Sequence, residues 1–276
     1  MHERLRKIRH VALDMDGTIY SGGTLFETTL PFLRLLCELG IGYTFLTNNS
    51  SKSVKDYLLH LRNLGITATA EQLYTSTQAT IPFLREKMPA VRRLFVLGTP
   101  SLQEEIAEAG FILAQDDAND EPDAVLIGFD TGLVFSRLCR AGYWIKAGKP
   151  FIATHPDRIC PTDQPTLLVD CGSICAALQT ATDRTPDAVL GKPDPQMLRG
   201  ILGRHSLQPE SLAMVGDRLY TDMAMARKTG AFGILVLTGE TTLEQAQRHL
   251  PALDLIVANL SELGHQLQER GTIQRV

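Results

Sequence analysis

Acidic and small polar residues gather where apolar runs end in this 276-residue chain. In HVALDMDGT, Asp14 and Asp16 lie two residues apart, just where a β-branched run gives way to Gly17. Side chains two apart on a regular strand point the same way, so both carboxylates would share one small space. Such crowding is costly unless a cation or a shared proton relieves it. A third acid, Asp217, follows the apolar run LAMVG, which makes a divalent ion with hard oxygen ligands the natural relief. Magnesium fits better than zinc, because no His or Cys accompanies these acids. Asp222, five residues further on and near the start of a helical pattern, could cap that helix or hold metal-bound water.

Two further stretches carry groups that suit an anion. FLTNNSSKSV ends an apolar run with Thr47, Asn48 and Asn49 and then enters a helical pattern. Hydroxyl, amide and backbone N–H groups collected at a helix start form a receptor for phosphate, although Ser50 or Ser51 would also serve as a plain helix cap. Lys192, in LGKPDP, adds a cation held in a stiff turn. Taken singly, each stretch has an ordinary reading as a turn, a cap or a solvated side chain.

The elements that must position these residues follow a regular rhythm. Short β-branched and aromatic runs (VALD, IGYTFLT, RLFVLG, DAVLIG, PFIATH, AVLG, LAMVG, FGILVL) alternate with amphipathic stretches near 28–39, 51–64, 101–109, 132–147, 173–182, 195–203 and 221–229. That alternation predicts an α/β fold with parallel sheets. In such sheets ligands bind beyond the carboxyl ends of strands, where the polar residues above are placed. Roughly 140 residues separate the Thr47 and Lys192 stretches, far more than one crossover requires. From 89 to 187 the runs RLFVLG, DAVLIG, PFIATH and TLLVD predict a second α/β domain, inserted between core segments 1–88 and 188–276.

Composition narrows the class. The formal charge is −4 and the pI about 6.0, so there is no global basic field of the kind that recruits nucleic acid or an anionic membrane. No apolar run approaches the length needed to span a bilayer, and the N-terminus lacks a signal-peptide pattern. A cytoplasmic location is expected. Cys37, Cys139, Cys160, Cys171 and Cys175 are expected to be reduced, with Cys171 and Cys175 half-buried on one helix face.

The stretches DMDGT, FLTNNS, GKPDP and VGDRLYTD stand in the order and spacing of the four motifs of the haloacid dehalogenase superfamily. The form LTNNS and the form GDRLYTD resemble its subfamily IIA branch of 4-nitrophenylphosphatase-like and N-acetylglucosamine-phosphatase-like enzymes. The resemblance implies a Rossmann-like parallel core with a large α/β cap, and a Mg2+-dependent phosphatase for small phosphomonoesters such as sugar phosphates, nucleotides or cofactor phosphates. It makes Asp14 the nucleophile and a metal ligand, and Asp16 the acid and base and a metal ligand through its backbone carbonyl. Thr47 and the Asn48 backbone would bind the phosphoryl oxygens, Lys192 would neutralise them, and Asp217 directly and Asp222 through water would complete the metal set. The paired glycines of TIYSGGTLF fit a hairpin flap beside the first motif.

Choice of substrate is expected from the cap loop ATHPDRICPTD, with His155, Asp157 and Arg158 as its candidate specificity residues. Relatives more often carry Asn in place of His155 and a PGxG-like turn where this chain has VDCGS. The partner is thus a small phosphorylated metabolite, with neither nucleic acid nor membrane, and self-association into a homo-oligomer is left open. Two other readings remain at this point: phosphoryl transfer to an acceptor other than water, and a receiver-like signalling protein that only accepts the phosphoryl group.

Overall fold

The computed structural model describes residues 3–162 and 164–272, and their contacts fall into two compact units. One unit comprises the chain up to Thr47, Leu61–Tyr74 and the chain from Pro195 onward; the other comprises Asn48–His60 and Thr75–Asp194.

The first unit is built on a sheet whose strands lie in the order Leu255–Val257, Phe232–Val236, Leu212–Gly216, His10–Asp14, Gly42–Thr47 and Leu73–Thr75. His10–Asp14 is central and pairs in parallel with Leu212–Gly216 on one side and Gly42–Thr47 on the other. Every residue of His10–Asp14, Leu212–Gly216 and Phe232–Val236 is buried, which is why these strands read as continuous apolar runs. Three neighbouring strands thereby deliver Asp14, Thr47 and the residue after Gly216 to the same carboxyl edge of the sheet. The paired glycines do form a turn. Tyr20–Ser21 and Thr24–Leu25 pair antiparallel around Gly22, whose φ of +56° no bulky residue adopts cheaply.

The second unit holds a parallel sheet in the order Ala188–Val189, Phe151–Ala153, Ala124–Ile127, Arg93–Leu97 and Ile112–Leu113. Alternate residues feed opposite cores. Phe95, Leu97, Val125 and Ile127 pack with Trp144, Ile145 and Leu178 of the helices Phe135–Lys146 and Cys171–Thr182. Leu94, Val96, Ala124 and Leu126 pack with Leu84, Leu102 and Ile106 of Ser76–Lys87 and Pro100–Glu108. Cys171 and Cys175 both belong to the first of these cores, and all five cysteines are free thiols.

The structure departs from expectation in three places. TLLVD does not enter the sheet. Its Leu168–Val169 pairs antiparallel with Ile159–Cys160 as a separate two-stranded ribbon; among the described residues between Phe151–Ala153 and Leu168–Val169 there is no crossover helix of the kind parallel pairing requires. Ser76–Lys87 is a helix that periodicity did not predict. Pro82 sits inside it, and a reciprocal box between Thr75 and Gln78 starts it. The helix after Asn49 begins only at Val54, with Ser53 and Asp56 bonding each other at its start, so Thr47 and Asn48 do not sit on its N-terminus. Asn49 instead turns the chain, its Oδ1 accepting from the Ser51 N–H at 2.9 Å. Among the described residues no helix is long and apolar enough to cross a membrane.

Candidate active site

Carboxylates of Asp14, Asp217 and Asp222 lie within 4.8 Å of one another, and all three residues are buried. Asp14 closes the central strand and Asp217 follows Gly216 on the next. Asp222 comes from a single π-helical turn, Leu219–Met223, and its Oδ2 accepts from the Arg218 N–H at 3.1 Å. Asp217 Oδ2 accepts from the Glu240 N–H at 2.6 Å, whereas its buried Oδ1 has no hydrogen-bond partner among the described residues. Burial, then Asp14 and Asp222, push the Asp217 carboxyl up to about 7, against the opposing pull of the Glu240 N–H and Arg218. Three crowded acids with an orphaned buried oxygen form the hard-oxygen set that a divalent cation fits.

Asp16 lies outside that trio. The strand ends at Asp14, and Asp16 forms an isolated bridge with Tyr20, so the pair does not continue a regular strand. Burial and the neighbouring Asp14 raise its carboxyl to about 6, against Arg218 and the Gly22 and Gly17 backbone. That value suits a group that must both give and take a proton near neutrality.

In the other unit, the Asn48 side chain grips the backbone of Lys192 from both ends. Its Oδ1 accepts from the Lys192 N–H at 2.6 Å and its Nδ2 donates to the Lys192 carbonyl at 3.0 Å. The same Nδ2 reaches both Asp157 oxygens at 3.2 Å. Both Asn48 and Lys192 are buried. His155, expected to face substrate, is fully buried at 0% exposure, while Arg158 is exposed. Burial pulls the His155 imidazole down to about 4, against Asp157, which pulls it upward.

Comparison with known proteins agrees with this geometry. Residues 11–112 match the haloacid dehalogenase-like hydrolase model, and residues 189–263 match a second model described as HAD-hydrolase-like. Chronophin of Rattus norvegicus is 32% identical over 259 residues, 91% of this chain and 84% of chronophin. The chain belongs to the haloacid dehalogenase-like hydrolases. A crystal structure of 4-nitrophenylphosphatase from Thermotoga maritima superposes with a TM-score of 0.90 at 39% identity, covering 97% of this chain and 100% of that one. A glycerol phosphate phosphatase from Mycobacterium tuberculosis, in complex with magnesium, gives 0.85 at 31% identity, covering 95% of this chain and 78% of that one. The resemblance read from the four motifs and the α/β fold it implied are both borne out.

Within this haloacid dehalogenase-like hydrolase, Arg218 is a residue the motif reading passed over. Burial works against its charge, but Asp14, Tyr220, Asp217 and Glu240 outweigh that and hold its pKa above the ordinary value. Its Nε lies 3.0 Å from Glu240 Oε2. Its signal in the sequence was an arginine placed directly after a strand-end acid, where it must share that acid's surroundings.

Glycines also shape the acid cluster. A Cβ on Gly239 would collide with the Asp217 carboxylate, and one on Gly216 with Asp222. Gly239→Ala should therefore displace Asp217 and weaken divalent-ion affinity about tenfold or more, measured by calorimetric titration of magnesium. Gly203→Ala, whose Cβ would meet nothing within 4 Å, should leave that affinity unchanged.

Proposed function

We propose that this chain is a magnesium-dependent phosphatase of small phosphomonoesters that works through an aspartyl-phosphate on Asp14. The observation that carries the reading is the buried trio Asp14, Asp217 and Asp222 with its unsatisfied Asp217 oxygen. Asp14, Asp217 and the Asp16 carbonyl would hold the ion directly and Asp222 through water, as the family resemblance assigns them. Bound there, magnesium supplies positive charge that offsets the repulsion between an anionic nucleophile and an anionic phosphate.

The residues divide the work as follows. An Asp14 oxygen attacks phosphorus and the bond to the leaving oxygen breaks. Asp16, kept partly protonated by its raised pKa, delivers its proton to that oxygen. Asp16 then takes a proton from water as the water attacks phosphorus, freeing Asp14 and releasing orthophosphate. Thr47, the Asn48 backbone and Lys192 are assigned to the phosphoryl oxygens, where fixed donors and a cation stabilise the transferring group. The segment 89–187 is assigned as the cap and 1–88 with 188–276 as the core. Free thiols at exposed Cys37 and Cys139 fit a reducing, cytoplasmic setting.

Phosphate release from a panel of sugar, nucleotide, cofactor and glycerol phosphates, with and without magnesium, tests the assignment. The names of the Thermotoga and Mycobacterium proteins put 4-nitrophenyl phosphate and glycerol phosphate first on that panel. Absence of magnesium-dependent turnover on every member would reject it.

A further inference from the structure

The cap-loop histidine is packed among neighbours and presents no surface to solvent. His155 is fully buried, and neither ring nitrogen makes a hydrogen bond to any of the described residues. Each nitrogen nevertheless faces a carboxylate: Nδ1 lies 3.7 Å from Asp157 Oδ2 and Nε2 lies 3.5 Å from Asp170 Oδ1. Asp170 is itself fixed, because it caps the helix Cys171–Thr182 and accepts from the Cys171 N–H at 2.5 Å. Asp157 is fixed on its backbone, where its carbonyl accepts from the Gly172 N–H at 2.7 Å. What remains free to be set is the direction of the Asp157 carboxylate.

That carboxylate is the partner of Asn48 Nδ2, and Asn48 is the clamp on the Lys192 backbone. A continuous series of contacts therefore runs from the helix cap at Asp170, through the His155 ring and Asp157, to Asn48 and the lysine turn. Gly191 seals it: its φ is +73°, and a Cβ there would come 2.7 Å from His155 Cβ and 2.8 Å from Asn48 Oδ1. The three residues His155, Asp157 and Asp170 are also of metal-ligating type and close together. One ligand atom from each lies within 4.8 Å of the others, but a neutral imidazole offers a single lone pair, and the two acids lie beside different ring nitrogens. The arrangement is a strut.

We propose that His155 is a positioning residue, bracing Asp157 against the Asn48 amide and thereby setting the Lys192 turn, without touching substrate. This rests on the phosphatase reading only in the consequence it has for rate. A phosphoryl clamp displaced by a fraction of an ångström to an ångström loses about ten- to a hundredfold in turnover. Because the phosphoryl group is common to all substrates, the loss should be the same whatever the leaving group.

The test uses His155→Ala and the nearly isosteric Asp157→Asn, each checked for native circular dichroism. Both should lower kcat on 4-nitrophenyl phosphate and on glycerol phosphate by the same factor, within about twofold, while KM for the two substrates keeps its ratio. His155→Asn, which refills part of the ring's space beside Asp157 with a polar group, should recover part of the loss. A change in the ratio of the two substrates' kcat/KM, or full activity in His155→Ala, would overturn the proposal and leave the phosphatase reading standing. A second readout does not need activity. In protein labelled with 15N-asparagine, the Asn48 side-chain amide pair, assigned by its loss in Asn48→Asp, should shift in His155→Ala; an unmoved pair overturns the coupling even if no substrate is found.

Discussion

Asp14→Asn is expected to reduce magnesium-dependent hydrolysis of 4-nitrophenyl phosphate by at least about a thousandfold, because an amide of the same size cannot form the acyl phosphate. Turnover near the wild-type rate in that variant would reject Asp14 as nucleophile. Asp16→Asn should separate the two half-reactions. Nitrophenolate leaves without help from an acid, so the first step should survive and give a burst of about one product per enzyme. Water still needs a base, so the second step should stall and the phosphoenzyme accumulate. Glycerol phosphate has a poor leaving group and should show no burst, with a loss of about a hundred- to ten-thousandfold. The same experiment discriminates the receiver-like reading, in which the wild-type protein itself would stop at the phosphorylated state. On the proposed mechanism, the raised pKa of Asp16, set by burial and Asp14, would make it the stronger base for the second step.

The chemistry was legible because it sits at strand ends. Apolar runs buried on both faces announce the central strands, and an acid that ends such a run has one place to go. The sequence alone thus assigns Asp14, Thr47 and Asp217 to one sheet edge, and three parallel neighbours deliver them there. What periodicity could not show was set by contacts far apart in sequence. Asn48 read as a group at a helix N-terminus, yet it is a side-chain clamp on Lys192, 144 residues away. His155 read as a candidate specificity residue and the VDCGS stretch as a departure from relatives, and nothing local says that the ring of one lies beside the Asp170 carboxylate of the other. Pro82 hid the helix Ser76–Lys87, since a proline in a helical pattern normally marks its end. Leu168–Val169 read as a sheet strand because a short apolar run looks alike in a sheet or in a two-stranded ribbon.

The acid cluster should also be visible as a stability that depends on pH and on magnesium. Asp217 is 2% exposed and its carboxyl is raised from 3.8 to about 7 by burial, then Asp14 and Asp222. A carboxyl whose folded-state pKa lies above its unfolded value holds its proton more tightly when folded. It costs nothing below about pH 4, where both states are protonated, and destabilises progressively as pH rises toward 7. Above 7 the cost is constant. At about 1.4 kcal/mol per unit, the full effect is a few kcal/mol. For a protein of this size that corresponds to a Tm lower by roughly 5–10 °C at pH 7.5 than at pH 5 in the absence of divalent ions. Magnesium binds the ionised cluster and competes with protons, so it should restore most of that difference at pH 7.5 and add little at pH 5. Asp217→Asn removes one titrating group, and should reduce the pH dependence, leaving the share due to the raised Asp16 and Glu105 carboxyls, while abolishing the magnesium effect. A Tm insensitive to magnesium at pH 7.5 in the wild-type protein would reject the cluster as a metal centre, and with it the route by which an anionic Asp14 approaches an anionic phosphate.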